Sequence, residues 1–496
     1  MTRLLITSLL LTLVTQLPAQ FGGNNLIAYQ FGKMPGEDEQ EFSAIYNRFL
    51  AGYDLRGFRA GLTIEQFYTP YSDRNFTSIA QLRLQYASGP LEVKLGNFYE
   101  TLGRGLLLRS YEIHGALLEE KSYRAQHYFH RDISGASVRY SRNNFTFGAL
   151  YGKPLNNAFP PGMDIPCRRP DDIAALQAGY SFGGQSAGAT LMMLDNSRGT
   201  SWYGSANLSG SLGSYISWYT EAAGEIGSRM PSGTPEAGPL ALYAGVNIAA
   251  GMAGISLEYK YYKDFDLGAG FNEPPALVKE HSYRLLNRST HVSQALNETG
   301  YQAEAYWMLP DASVITFNHT LAVNDFGKRF VFREYFVGYD GTLGTGHDFR
   351  LFVDLAQDPL KLERNRFTWG GGAGWRTGGR LLLNTDFEAQ RFDREDTKVI
   401  NMLFSPGANI RSRFSLSVVA EVSNDPFILD DPDSAGGEIE KPYRWWTGAS
   451  IGYRIGSSHN LRVFGGQRRG GPACYSGICY EILDFTGIEI RLTSRF

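Results

Sequence analysis

The chain has 496 residues, 47 basic and 50 acidic side chains, a formal net charge of −3 and 14% aromatic residues. That near-neutral balance excludes the basic footprint of a nucleic-acid partner. The three cysteines match no zinc-site spacing.

The first residues, MTRLLITSLLLTLVTQLPAQ, place one basic side chain before an apolar run and a small residue at Ala19. This is the layout of a signal peptide over 1–19, with cleavage after Ala19. The run is too short for a lasting membrane helix, and no other stretch reaches about 18 apolar residues. The rest, 20–496, reads as one unit, and strand-like sequence at Asn25–Phe31 leaves no room for an N-terminal plug domain.

Period-2 alternation then runs through the chain. Residues 79–86 set Ala80, Leu82, Leu84 and Tyr86 against Gln81, Arg83 and Gln85. Residues 301–309, 379–391 and 410–422 repeat the pattern. Alternation over about ten residues is the mark of a transmembrane β-strand, apolar toward lipid and polar toward a wet lumen. A soluble barrel would alternate too, but so many strands would enclose a hollow with nothing to fill it. Aromatic doublets near strand ends (Phe67/Tyr68, Phe98/Tyr99, Tyr261/Tyr262, Tyr335/Phe336, Trp445/Trp446) read as interfacial girdles. Connections fall into short ones, at 55–57, 88–90, 142–144, 183–185 and 378–379, and long ones, at 32–41, 69–77, 152–172, 227–239, 263–298, 424–442 and 468–478. The expected fold is all-β, a single large antiparallel transmembrane barrel of roughly 22–26 strands with inward-folded loops.

Residues 97–112, NFYETLGRGLLLRSYE, lack both the phosphate-loop and the dinucleotide fingerprints. They read instead as a segment bent into the barrel, with Arg104 and Arg109 toward the lumen and Leu106–Leu108 against the wall. His127 and His130 are three apart, which on a strand puts them on opposite faces and argues against a shared metal. Residues 272–305 carry Lys279, Arg284 and Arg288 with Tyr283, Leu285 and Leu286 to bury. The long connection 263–298 is either folded into the barrel mouth or an external cap. Arg104, Arg109, Lys279, Arg284 and Arg288 are the candidate constriction residues, since rings of arginine or lysine favour anions. Asp430–Glu440 is a carboxylate-dense loop without EF-hand spacing. Cys474 and Cys479 lie close enough to close a small disulfide ring, and Cys167 is left over. The last strand, GIEIRLTSRF, ends on Phe496, a terminal aromatic similar to the assembly signal of outer-membrane barrels.

The blocks GNFYETLGRGLLLRSYE and NEPPALVKEHSYRLLNRSTHV resemble a family of uncharacterised porin-like outer-membrane proteins of diderm bacteria, a domain of unknown function. The resemblance implies a large barrel in the outer membrane and no established substrate. The functional expectation is a porin-like passive channel for small polar, anion-leaning solutes, with no enzyme activity and no cofactor. Expected partners are outer-membrane lipid and lipopolysaccharide, the barrel-assembly machinery and the solute. The alternatives are a closed-barrel scaffold or secretion accessory, whose outer loops bind a partner protein, and a surface adhesin or receptor.

Overall fold

The two faces of the strand His347–Asp358 show the rule that builds the molecule. In His347–Asp358, Leu351, Val353 and Leu355 stand exposed on one face, while Phe352, Asp354, Ala356 and Asp358 are buried on the other. Apolar side chains thus point outward and polar ones inward, the reverse of a soluble barrel and the pattern a lipid-facing wall requires. The computed structural model describes residues 21–33, 41–121, 124–156, 161, 167–227, 238–268, 272–293, 296–344, 346–429, 443–475 and 477–496. The segment 1–19, the acidic loop Asp430–Glu440 and the side chain of Cys167 lie outside them.

The main sheet has 25 strands, of which the two-residue Cys167–Arg168 pairs only with Phe145–Asn156. The other 24 form a closed antiparallel ring. Closure is made by the first strand, Phe21–Lys33, which pairs with Glu41–Leu55 on one side and with the last strand, Phe485–Arg495, on the other. Closure leaves no edge with unpaired backbone groups, which is what allows a sheet to sit in lipid. No described helix is long and apolar enough to cross a membrane, and the strands do the crossing.

The long connections gather at one end, and the other end is closed by tight turns alone. Tight turns at 56–57, 89–90, 143–144, 183–184, 378–380 and 411–413 all lie at the end that also carries Phe21 and Phe496. At 56–57 and 183–184 both turn residues have positive φ, as a two-residue hairpin matched to strand twist needs. The long connections lie at the other end. Three of them, 99–132, 264–297 and 469–484, turn back into the barrel and account for much of the buried interior.

The aromatic doublets split rather than forming girdles as pairs. Trp445 is 61% exposed and Trp446 is 3% exposed, and Tyr68 and Tyr335 are likewise exposed beside buried Phe67 and Phe336. In these doublets only one ring faces lipid, because neighbours on a strand point to opposite sides. The other packs against the inward loops. Phe98 and Tyr99, at and just past a strand end, both turn inward.

Candidate functional site

The first inner segment begins with the loop Leu102–Leu108. It is pinched shut by Leu102 N–H donating to Leu108 O at 3.0 Å and Gly105 N–H donating to Leu102 O at 2.8 Å. Gly103 and Gly105 have φ of 59° and 91°. At Gly103 a Cβ would meet the Glu221 carboxylate at 2.3 Å, so glycine is required there by both conformation and close approach. Leu102 and Leu106–Leu108 are buried against Ile133, Leu150, Ile173, Met192 and Leu194 on the inner wall. The segment continues as a hairpin, Tyr111–Glu119 with Gln126–Arg131. The sequence places a strand near Ile113, and the structure puts that strand inside the barrel rather than in its wall. His127 and His130 are both buried in it, because an inner strand is covered on both faces. His127 stacks on Phe76 at 5.0 Å, and burial holds its pKa below the ordinary histidine value.

The second segment carries a one-turn helix, Arg284–Arg288, with Leu285 and Leu286 buried. Tyr283 stacks on Phe352 at 3.8 Å, and burial, reinforced by Asp340, pushes its phenol up to about 12. The third segment is the hairpin Gly471–Tyr475 with Ile478–Ile482, in which Cys474 and Cys479 are register partners joined by a disulfide. The 263–298 connection is therefore an inward fold in this structure, not an external cap.

The three segments form one body. Arg131 pairs with Glu273 at 3.2 Å, joining the first to the second. Asn287 bonds Cys474 through both its amide nitrogen and its oxygen, each at 2.8 Å, joining the second to the third. Arg124 donates to Asp484 O at 2.6 Å, and Phe129 packs edge-on against Tyr480, joining the first to the third.

Carboxylates on the inner wall hold this plug. Glu65 accepts from Tyr128 N at 2.6 Å, Glu221 from Arg104 N at 2.8 Å, and Glu388 from Arg284 N and Leu285 N at 2.8 and 2.7 Å. Glu304 pairs with Lys279 at 2.5 Å, and Glu421 pairs with both Arg288 and Arg469. Asp358 holds His291 Nδ1 at 2.9 Å. Burial opposes a charged His291, but its contacts with Asp358 and Glu298 outweigh that, and its pKa sits above the ordinary value. None of these wall carboxylates is a residue that motif reading singles out. Their only sequence signal is an acidic residue on the polar parity of an alternating strand.

His281, Glu334 and Asp354 present ligand atoms within 4.8 Å of one another. The Arg366 guanidinium already sits among them, 3.1 Å from Glu334 and 3.5 Å from Asp354, and supplies the balancing charge a cation would bring.

The five candidate cations divide. Lys279 and Arg288 are spent on wall carboxylates, and Arg284 is exposed beside the Glu388 anchor. Arg104 is exposed over the Tyr219 ring, 5.0 Å from its centroid, and Arg109 lies over Tyr111 at 5.4 Å. Two cavities of about 460 Å³ each meet at Arg104 and Tyr243. One is lined by Tyr219, Asn247 and Glu258 of the wall, the other by Arg109, Glu280 and Cys474 of the plug.

A family of unknown function (DUF6029) matches residues 12–156. No curated protein matches. Among solved structures, the chain is similar to the E. coli P pilus tip assembly intermediate PapC-PapD-PapK-PapG, at 11% identity and TM-score 0.52, over 96% of this chain and 60% of that one. The P pilus usher (PapC) translocation pore aligns at 10% identity and TM-score 0.49 over 96% and 99% of the two chains. The Pseudomonas aeruginosa outer membrane protein opdK aligns at 13% identity and TM-score 0.39 over 68% and 94%. The likeness is one of fold: the barrel resembles outer-membrane proteins of Gram-negative bacteria.

Proposed function

We propose that the protein is a porin-like outer-membrane channel for small polar solutes, with a lean toward anions, whose lumen is narrowed by its own inward loops. The observation that carries this reading is the pair of adjoining cavities. They run from the space between the plug segments to the wall on the short-turn side, and Arg104 with Tyr243 forms the neck between them. A polar inner face and an exposed guanidinium at the neck favour passage of anions. Arg104 and Arg109 are the proposed constriction, while Lys279 and Arg288, with the Arg284 backbone N–H, tie the second inner segment to the wall beside it. Phe496, stacked on Phe21 and Phe49 at 6.0 and 5.7 Å on the lipid-facing side, is the proposed assembly signal, and lipid with lipopolysaccharide the proposed surroundings.

A second reading has one observation in its favour. The three inner segments are bonded to one another as well as to the wall, which suits a closed barrel that displays its outer loops to a partner protein. Purified protein in a planar bilayer separates the two. The channel gives stable open steps with anion preference, and Arg104→Ala moves that preference toward unity. A barrel that never conducts sinks the channel reading and leaves the scaffold.

A further inference from the structure

Below the plug, at the short-turn mouth, the inner wall has a charge asymmetry that the two cavities do not use. Inner parity is set in each strand by its buried residues: Trp446 and Gly448 in Arg444–Ile455, Phe464 in His459–Arg468 and Glu489 in Phe485–Arg495. Counting in twos toward the mouth puts Arg454, Arg462 and Arg495 on that same face. The adjoining turns add Arg380, Arg411 and Arg413. Backbone bonds from Arg411 N to Arg380 O and from Arg454 N to Arg413 O set these arginines side by side in pairs. All six are exposed, and none makes an ion pair among the described residues.

The contrast with their neighbours is direct. Deeper in the same wall, Arg350 is matched by Asp386, and Arg468 and Arg491 are matched by Glu489. Nearer the mouth, Arg462 has no carboxylate of its own, and its partner across the ladder is another arginine, Arg491. Like charges directly opposite are unfavourable in a sheet, so this row is relieved by whatever anion settles on it. Half a turn around the ring, the corresponding inner positions are neutral: Ser186, Asn207, Ser209, Ser217 and Asn247. The field therefore runs across the mouth.

We propose that this arginine arc is a docking track for small multivalent anions, solutes that carry two or more phosphate or carboxylate groups. Neighbouring strands lie about 4.8 Å apart, so successive guanidinium groups repeat at a spacing that adjacent anionic groups on one solute can bridge. Each fork accepts a phosphate or carboxylate through paired hydrogen bonds. The arc lies on the concave inner wall, where one small solute touches several arginines at once. The proposal deepens the channel reading by naming its solute class. It needs the short-turn mouth to be open to water, and it does not need conduction through the plug.

The test is calorimetric titration of the detergent-purified protein with inorganic tripolyphosphate at about 0.15 M salt, where exposed charges more than about 8 Å apart are screened. Saturable binding is expected. The triple variant Arg413→Gln/Arg454→Gln/Arg462→Gln weakens it at least about tenfold, and lysine at the same three positions retains most of it, which separates lost charge from lost fold. Arg329→Gln, at the opposite end, leaves it unchanged. Wild-type protein that takes up no tripolyphosphate, or a glutamine triple variant that binds as wild type does, overturns the proposal. A barrel that conducts without binding tripolyphosphate sinks this inference alone, and one that binds without conducting sinks the channel reading alone.

Discussion

Single carboxylates decide where the plug sits. Glu388 accepts two successive backbone N–H groups at the start of the one-turn helix Arg284–Arg288, a terminus too short to satisfy them itself. Glu388→Ala leaves both donors without that acceptor, at a cost of about 1–3 kcal/mol for a buried unsatisfied group. Since 1.4 kcal/mol is a factor of ten, amide exchange over 284–290 is expected to speed up roughly ten- to hundredfold while the wall strands keep their protection. Equal loss of protection in the wall would show that Glu388 supports the barrel rather than the plug. Glu388 could be placed on the polar parity of its strand from the sequence alone. Its partner, more than a hundred positions away in the chain, could not, because alternation says which face a residue is on and nothing about what comes to meet it.

At the scale of elements, the second inner segment is pinned at its far end by His291. The ring stacks on Phe332 at 4.4 Å and contacts Asp358 at 2.9 Å and Glu298 at 3.9 Å, while Lys260 and Lys361 lie close by, on Glu298 and on the Thr290 carbonyl. The folded pKa is raised. The stabilisation is therefore complete below the unfolded value of about 6.5 and is lost as pH rises through the folded value. His127 works in the opposite sense: burial lowers its pKa, so its contribution is present above about 6.5 and is lost as pH falls through its folded value. Limited proteolysis of 264–297 is expected to rise between about pH 6 and pH 8.5, and His291→Gln is expected to flatten that rise. A wild-type profile that does not change over the range would show that the histidine does not pin the segment. Reading the sequence found this element and its apolar residues, but left open whether it folds in or caps the outside. Tyr283, Leu285 and Leu286 had to be buried either way, and only the inner faces of Phe336 and Phe352 decide where.

For the whole molecule, the plug and the wall are separable. The wall is closed by its own ladder from Phe21–Lys33 to Phe485–Arg495, and the strands flanking 264–297, Ala253–Lys263 and Glu298–Met308, pair along their full length. Replacing 264–297 with a short glycine-containing turn is expected to leave a folded barrel, read by unchanged β-sheet circular dichroism, with single-channel conductance increased several-fold over wild type. Wild-type-like conductance in that variant would place the constriction elsewhere, and loss of the barrel would mean that the plug is part of its core.

The sequence by itself determined the all-β membrane barrel, because alternation at a period of two is a local property and lipid on one side imposes it strand by strand. It also marked tight turns such as 56–57 and 183–184, since turn residues with positive φ announce themselves, but it missed the long connection 99–132. Only the tertiary structure decided that Tyr111–Arg131 is an inner hairpin rather than wall, that aromatic doublets within a strand turn one ring inward, and that wall carboxylates hold the plug. It also gathered arginines from two turns and three strands onto one arc of the mouth. Each of these depends on contacts between residues far apart in the chain, made only once the ring has closed around the loops that fold into it.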